Sequence, residues 1–135
     1  MRRWISCMAI SLSLLSGTTL AADQSKHEAA DRWLQTVDKG EYAQTWRDAD
    51  TGFQAAVSEV QWSQSLQQIS AQTGKLLKRE FKSEEEKTNL PGAAPGKYRI
   101  VVYMSAYEKA PQVKETVVLT ETKDGSWKVA GYFLQ

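Results

Sequence analysis

Reactive side chains are scarce in this sequence, which contains one cysteine, Cys7, and one histidine, His27, among 135 residues. Without a second histidine or cysteine, the chain lacks the usual partners for a zinc site, for histidine-based acid–base catalysis and for a thiol nucleophile. No other catalytic signature is present. The sequence therefore predicts no metal site, no cofactor and no catalytic residue.

An excess of charge of either sign is also missing, because 17 lysines and arginines stand against 16 aspartates and glutamates. This balance gives no indication of binding to nucleic acid or to an anionic membrane surface. Long apolar runs are missing as well. The one apolar stretch, residues 5–15, is interrupted by serines and is shorter than the roughly 20 residues that a membrane-spanning helix needs.

That apolar stretch has the context of a secretory signal peptide. It follows the positive residues Arg2 and Arg3, and Thr19 and Ala21 place small side chains where a signal peptidase reads them. We expect cleavage after Ala21, with Ala22 as the alternative, and hence a signal peptide at 1–21 and one domain at 22–135. The remaining 114 residues carry 15 basic and 16 acidic side chains and no cysteine, so one hydrophobic core must hold them together. The expected location is periplasmic or extracellular, with no transmembrane segment after cleavage.

The first half of the domain has apolar residues at helical spacing. Ser25 and Glu28 form a capping-box pattern before one helix that Gly40 ends, and Ser58 and Gln61 repeat it before another that ends at Gly74. Between them, Tyr42, Trp46, Ala49 and Phe53 mark one further amphipathic helix. Trp33, Trp46 and Trp62 lie on these apolar stripes and are expected in the core.

From residue 75 the apolar period changes to two, which predicts four strands joined by a proline- and glycine-rich loop at 89–96 and by two short turns. Short connections favour an antiparallel meander. The sequence therefore predicts an α+β fold with three N-terminal helices packed on one face of a curved four-stranded antiparallel sheet. We expect the face with Ile100, Val102, Val117 and Val129 to receive the helices.

This arrangement resembles the nuclear transport factor 2-like fold, also called cystatin-like, in which a curved sheet and its helices form a cone. The segment 33–42 is similar to the first helix and turn of such domains. A closer resemblance is to the exported bacterial family called domain of unknown function 4019, through 40–42, 90–92 and above all the final segment 124–133. It covers nearly all of 22–135 and implies no activity. In enzymes that resemble ketosteroid isomerases or dehydratases, this fold places acids, tyrosines or histidines deep in the cone.

Glu115 is the acid with the most unusual position, because alternation places it on one face with Val113, Val117 and Leu119. A carboxylate there must be paired or have a raised pKa. One interpretation makes it the polar group of a pocket with Tyr98, Arg79 and Arg99. The other is structural: Glu115 pairs with Arg79 or Arg99, or a bulge turns it to solvent.

Three tyrosines suggest a second surface. Tyr103, Tyr107 and Tyr132 are predicted to share the sheet face opposite the helices with Val118, either as an interface or as ordinary cross-strand pairs. The predicted function is a non-catalytic module of the bacterial cell envelope that binds an unknown small ligand or an envelope protein and can form a homodimer. The alternative is a small pocket enzyme, a hydrolase or isomerase that uses Glu115 with a tyrosine.

Overall fold

The structure is a computed structural model that describes residues 27–135 of the chain. In this part, four helices precede four strands, so the predicted α+β class is confirmed. The helices are α1 (Glu28–Asp38), α2 (Tyr42–Arg47), α3 (Thr51–Ala56) and α4 (Glu59–Thr73). The strands are β1 (Leu76–Thr88), β2 (Lys97–Tyr107), β3 (Ala110–Glu121) and β4 (Trp127–Leu134). The predicted signal peptide at 1–21, its cleavage site and the Ser25 cap lie outside the described residues.

The second predicted helix is divided into α2 and α3, so the expectation of three helices is wrong for the described residues. Asp50 causes the break. Its backbone N–H donates to the carbonyl of Val129 in β4 (2.8 Å), and its side chain accepts from the N–H of Gly52 (2.9 Å) to cap α3. The apolar spacing runs on through Ala49 and Phe53, but the backbone leaves the helix to bond to the sheet.

The ends of α4 follow the prediction from the sequence. Ser58 accepts from the backbone N–H of Gln61, whose side chain reaches back to the backbone of Ser58 in a complete capping box. At the other end Gly74 has a φ of 73°, a conformation that side chains with a Cβ rarely adopt. None of the helices among residues 27–135 is long and apolar enough to cross a bilayer.

The four strands form one antiparallel sheet in the order β1-β2-β3-β4, as the short connections predict. We call its helix-covered side the inner face and the opposite side the outer face. The hydrophobic core lies between α1 and the inner face. It consists of the buried residues Ala30, Trp33, Leu34, Val101, Tyr103, Val117, Leu119 and Val129.

The predicted assignment of residues to the two faces is wrong for β2 and for the three tyrosines. The β2–β3 register pairs Val101 with Val117 and Tyr103 with Glu115. Paired residues share a face, so Val101 and Tyr103 point inward with Val117. The expectation had Ile100 and Val102 on that side, and a slip of one residue exchanges the two faces of a strand.

Tyr132 also belongs to the inner face, because β4 pairs it directly with Val117. A register shift in β4 passes over Ala130, so that Val129 and Tyr132 lie on the same face although they are three positions apart. Strict alternation had placed them on opposite faces. The proposed interface of Tyr103, Tyr107, Val118 and Tyr132 is therefore not a continuous outer surface. Val118 alone of the four lies on the outer face, where it pairs with Ile100.

The outer face keeps an apolar patch of a different composition. Two of its side chains, Met104 and Phe133, are 38% and 55% exposed. Around them lie half-buried residues that the strand register brings side by side, namely Ile100, Val102 and Val118.

Candidate functional site

A buried ion pair lies at the centre of the candidate site. Glu115 in β3 has no exposed surface and receives two hydrogen bonds from the guanidinium of Arg79 in β1, from Nε to Oε1 (3.0 Å) and from Nη2 to Oε2 (3.2 Å). The hydroxyl of Tyr107 donates to Oε1 (3.0 Å) and that of Tyr132 to Oε2. Both carboxylate oxygens thus have two partners each, which a buried carboxylate needs to offset the loss of water.

Arg79 connects this carboxylate to the helical layer. Its Nη1 donates to Oδ2 of Asp38 (2.7 Å) and its Nη2 to Oδ1 (3.1 Å), a bidentate pair at the end of α1. The arginine side chain is 13% exposed and that of Asp38 is 28% exposed. One guanidinium therefore holds two carboxylates, one buried in the sheet and one at the surface.

The charges of this network fix the protonation of its members. Burial alone would raise the pKa of Glu115, but the hydrogen bonds and charge of Arg79 outweigh it and hold the pKa below the ordinary value. Burial and the charge of Glu115 raise the pKa of Tyr107 to about 12 and also raise the pKa of Tyr132. At neutral pH the carboxylate is ionised and both phenols donate to it.

A cleft of about 420 Å³ opens beside this network, between α1, α4 and the ends of β2 and β4. Asp38, Tyr107 and Tyr132 belong both to the network and to the cleft lining. Polar atoms also come from Thr73 and Lys75. The rest of the lining is largely apolar or aromatic and includes Val37, Tyr42, Leu66, Ile69, Leu76 and Leu134.

A second polar contact between helix and sheet lies under α1. The hydroxyl of Tyr103 donates to Oδ1 of Asp31 at 2.5 Å, and burial together with this carboxylate raises the pKa of the phenol. Tyr103 is 3% exposed and belongs to the core, so it contributes to the position of α1 on the sheet.

The sequence model of the family described as "Protein of unknown function (DUF4019)" matches residues 29–132. The chain belongs to this family. A search of the curated proteins finds no match. Among solved structures, the chain is similar to ActVI-ORFA from Streptomyces coelicolor, with 11% identity and a TM-score of 0.49 over 80% of this chain and 91% of that one.

In this DUF4019 chain, the four residues of the predicted pocket do not lie together. Arg79 and Glu115 form the ion pair described above. Tyr98 is buried elsewhere, and its hydroxyl donates to the carbonyl of Ala94 in the loop before β2 (2.5 Å). Arg99 lies 4.0 Å above the ring of Trp127, with its Nε 3.6 Å from a carboxylate oxygen of Glu84. Tyr98 and Arg99 are therefore not part of the cleft.

Asp38, which lies off the apolar stripe of α1, is not among the site residues that the sequence predicts. One signal could have identified it. The last turn of α1 carries this acidic residue and no basic one. A negative charge at a helix C-terminus is unfavourable unless a cation lies nearby, which indicates a partner elsewhere in the chain.

The described residues contain no group of three histidine, cysteine, aspartate or glutamate side chains that could hold a metal ion. The network is instead a self-contained hydrogen-bonded pair of carboxylates around one guanidinium. Chemically, the arrangement can present a carboxylate and aromatic rings to a molecule in the cleft.

Proposed function

We propose that this protein is a non-catalytic small-molecule-binding module of the bacterial cell envelope, with the cleft beside the Glu115–Arg79 pair as its binding site. The observation that carries this proposal is the cleft itself. Its volume of about 420 Å³ and its mainly apolar and aromatic lining, with a few polar groups, are typical of small-ligand sites.

A pocket enzyme that uses Glu115 with a tyrosine is the alternative, and the hydrogen bonds of Glu115 argue against it. A general base must be free to accept a proton, whereas both oxygens of this carboxylate are already occupied by Arg79 and two phenols. Its lowered pKa further weakens it as a base. We therefore favour binding over hydrolysis or isomerisation.

A cavity-filling substitution tests the binding site. Ile69→Trp places a large ring in the cleft, and Val60→Trp on the same helix is a matched control because Val60 is 65% exposed and outside the lining. We expect the neutral fluorescent probe N-phenyl-1-naphthylamine to bind the wild type and Val60→Trp equally, and to bind Ile69→Trp at least about tenfold more weakly. Equal binding by all three proteins would contradict the proposal.

We further propose that the helices and sheet form the cone of the nuclear transport factor 2-like fold. The register shifts in each strand pair support this, because bulges increase the twist of a sheet and help it to curve. In such a cone the concave inner face holds the ligand. The Glu115 network lies on that face.

A homodimer or a complex with an envelope protein remains a separate prediction, now through the outer face. The exposed side chains of Met104 and Phe133 there are the observation that favours it. We expect Phe133→Glu to lower any self-association seen by sedimentation without changing the circular dichroism spectrum, and Val60→Glu on the helical side to leave it unchanged. A wild type that stays monomeric at high concentration would contradict the homodimer.

A further inference from the structure

The charges around the cleft indicate which sign of ligand it accepts. On one side of the cleft, the single guanidinium of Arg79 is shared by Asp38 and Glu115, so the three groups together carry one negative charge. The guanidinium is enclosed by its partners, whereas the Asp38 side chain keeps 28% of its surface exposed and lines the cleft. A ligand therefore meets the carboxylate rather than the arginine.

Aromatic rings lie beside this carboxylate. Tyr107 and Tyr132 line the cleft while Glu115 engages their hydroxyls, so their rings are the part left to face a ligand. Tyr42 adds a third ring to the lining. The faces of such rings attract ammonium groups, most strongly quaternary ones that cannot be drawn away by hydrogen bonds to water.

The only lysine of the lining does not reverse this preference. Lys75 is exposed at the rim of the cleft. Glu108 lies next to it, and its Oε1 accepts a hydrogen bond from the backbone N–H of Lys75 (2.8 Å). The charges of Lys75 and Glu108 are opposite in sign, and both are exposed to solvent, which screens them. Lys75 and Glu108 together carry no net charge, so the net negative charge of the Asp38–Arg79–Glu115 network beside the tyrosine rings remains.

We infer that the cleft binds an amphipathic organic cation, in which an alkyl chain packs against Leu66, Ile69 and Leu76 and a substituted ammonium group lies between Asp38 and the tyrosine rings. This inference rests on the proposed function, since it specifies the ligand class of the same site. It also explains the mixed lining: the apolar side chains accept the hydrocarbon, and the carboxylate and rings select the head group.

Calorimetric titration with three probes of equal chain length tests the inference: octyltrimethylammonium, 1-octanol and octanoate, each below its aggregation concentration. At low ionic strength we expect the cation to bind about fivefold or more tightly than the alcohol, and octanoate to bind most weakly. Added salt should weaken the binding of the cation and leave the binding of the alcohol unchanged.

Variants separate the charge from the fold. Asp38→Asn should lower the affinity for the cation about fivefold and leave the affinity for 1-octanol unchanged. Asp48→Asn, the same substitution outside this cleft, should change neither affinity. Lys75→Gln should bind the cation at least as tightly as the wild type. If Asp38→Asn does not fold, the salt dependence of the wild type still decides the question.

The two proposals fail in different ways. Equal affinity for the cation and the alcohol, or tighter binding of octanoate, would overturn the inference of a cationic ligand but not the proposal that the cleft binds small molecules. Failure of all three probes and of N-phenyl-1-naphthylamine to bind would overturn the proposed function and the cation together.

Discussion

Glu115 is a charged side chain without any contact with solvent. Transferring a carboxylate from water into a protein costs several kcal/mol, and the cost is offset here only by the groups that surround it. Arg79 supplies the opposite charge and two phenols supply hydrogen bonds. Removing any one of these partners leaves the others buried and incompletely satisfied.

Glu115→Gln should destabilise the protein by about 3 kcal/mol at neutral pH, the lower end of the cost of breaking a buried ion pair, because Asp38 still neutralises Arg79. The cost should shrink in acid. The folded-state pKa of Glu115 lies below its ordinary value of 4.5, so its ionised form stabilises the fold above that pH and loses this effect as the pH falls through the folded-state pKa.

Urea unfolding of the wild type and Glu115→Gln from pH 7 to pH 3 measures this difference. Glu80 and Asp124 also have lowered pKa values, through Lys78 and Thr122 respectively, but they are present in both proteins and cancel in the comparison. A stability difference that stays constant with pH would show that the charge of Glu115 does not stabilise the fold.

At the scale of single residues, the sequence predicts part of this network. Alternation along β3 places Glu115 among Val113, Val117 and Leu119, and a carboxylate in such a row needs a partner. Arg79 was one of two candidates. Asp38 and the two phenols could not be found in this way, because their approach depends on how α1 crosses the sheet and on the register of β4.

Among the helices, Thr45 is the residue that ties the layer together. It has no exposed surface, and two tryptophans from other helices donate to it: Trp33 Nε1 to its carbonyl (3.0 Å) and Trp62 Nε1 to its hydroxyl (2.9 Å). Trp33 and Trp62 thus pack in or against the core as predicted. Trp46 lies outside that cluster, and its indole donates to the carbonyl of Val57 (2.7 Å).

Thr45→Val should destabilise the domain by about 1–3 kcal/mol, because the isosteric valine leaves the indole N–H of Trp62 without its acceptor. Thermal unfolding measures the change. Thr36→Val is the control, since the Thr36 hydroxyl bonds only to a carbonyl of its own helix and its loss should be nearly neutral. If the two variants unfolded at the same temperature, the hydrogen bond from the Trp62 indole to Thr45 would contribute nothing to stability.

The elements themselves are largely readable from the sequence. Hydrophobic period and capping residues predict α4 and the four strands, with the turns between them. The break between α2 and α3 could not be predicted, because it depends on a bond from Asp50 to β4, far along the chain. The faces of β2 and β4 were missed for a related reason: local alternation does not reveal register or a bulge.

At the scale of the whole molecule, export is a proposal that a mass measurement can test. We expect protein purified from its own host to begin at Ala22 or Asp23, because Thr19 and Ala21 fit a signal-peptidase site. Native mass spectrometry of the same sample can also reveal a retained ligand. Recovery of the full-length chain in the membrane fraction would contradict export as a soluble protein.

The aromatic contacts of Tyr132 extend from the cleft into the core. Its ring centroid lies 5.1 Å from that of Trp33 and 6.4 Å from that of Trp62, and Phe53 stacks edge-on against Trp62 at 4.8 Å. At these distances we expect excitation energy absorbed by Tyr132 to pass to the two indoles. Because Tyr132 also lines the cleft, any guest that displaces water from it should alter ultraviolet emission, so the native chain carries its own optical reporter of occupancy.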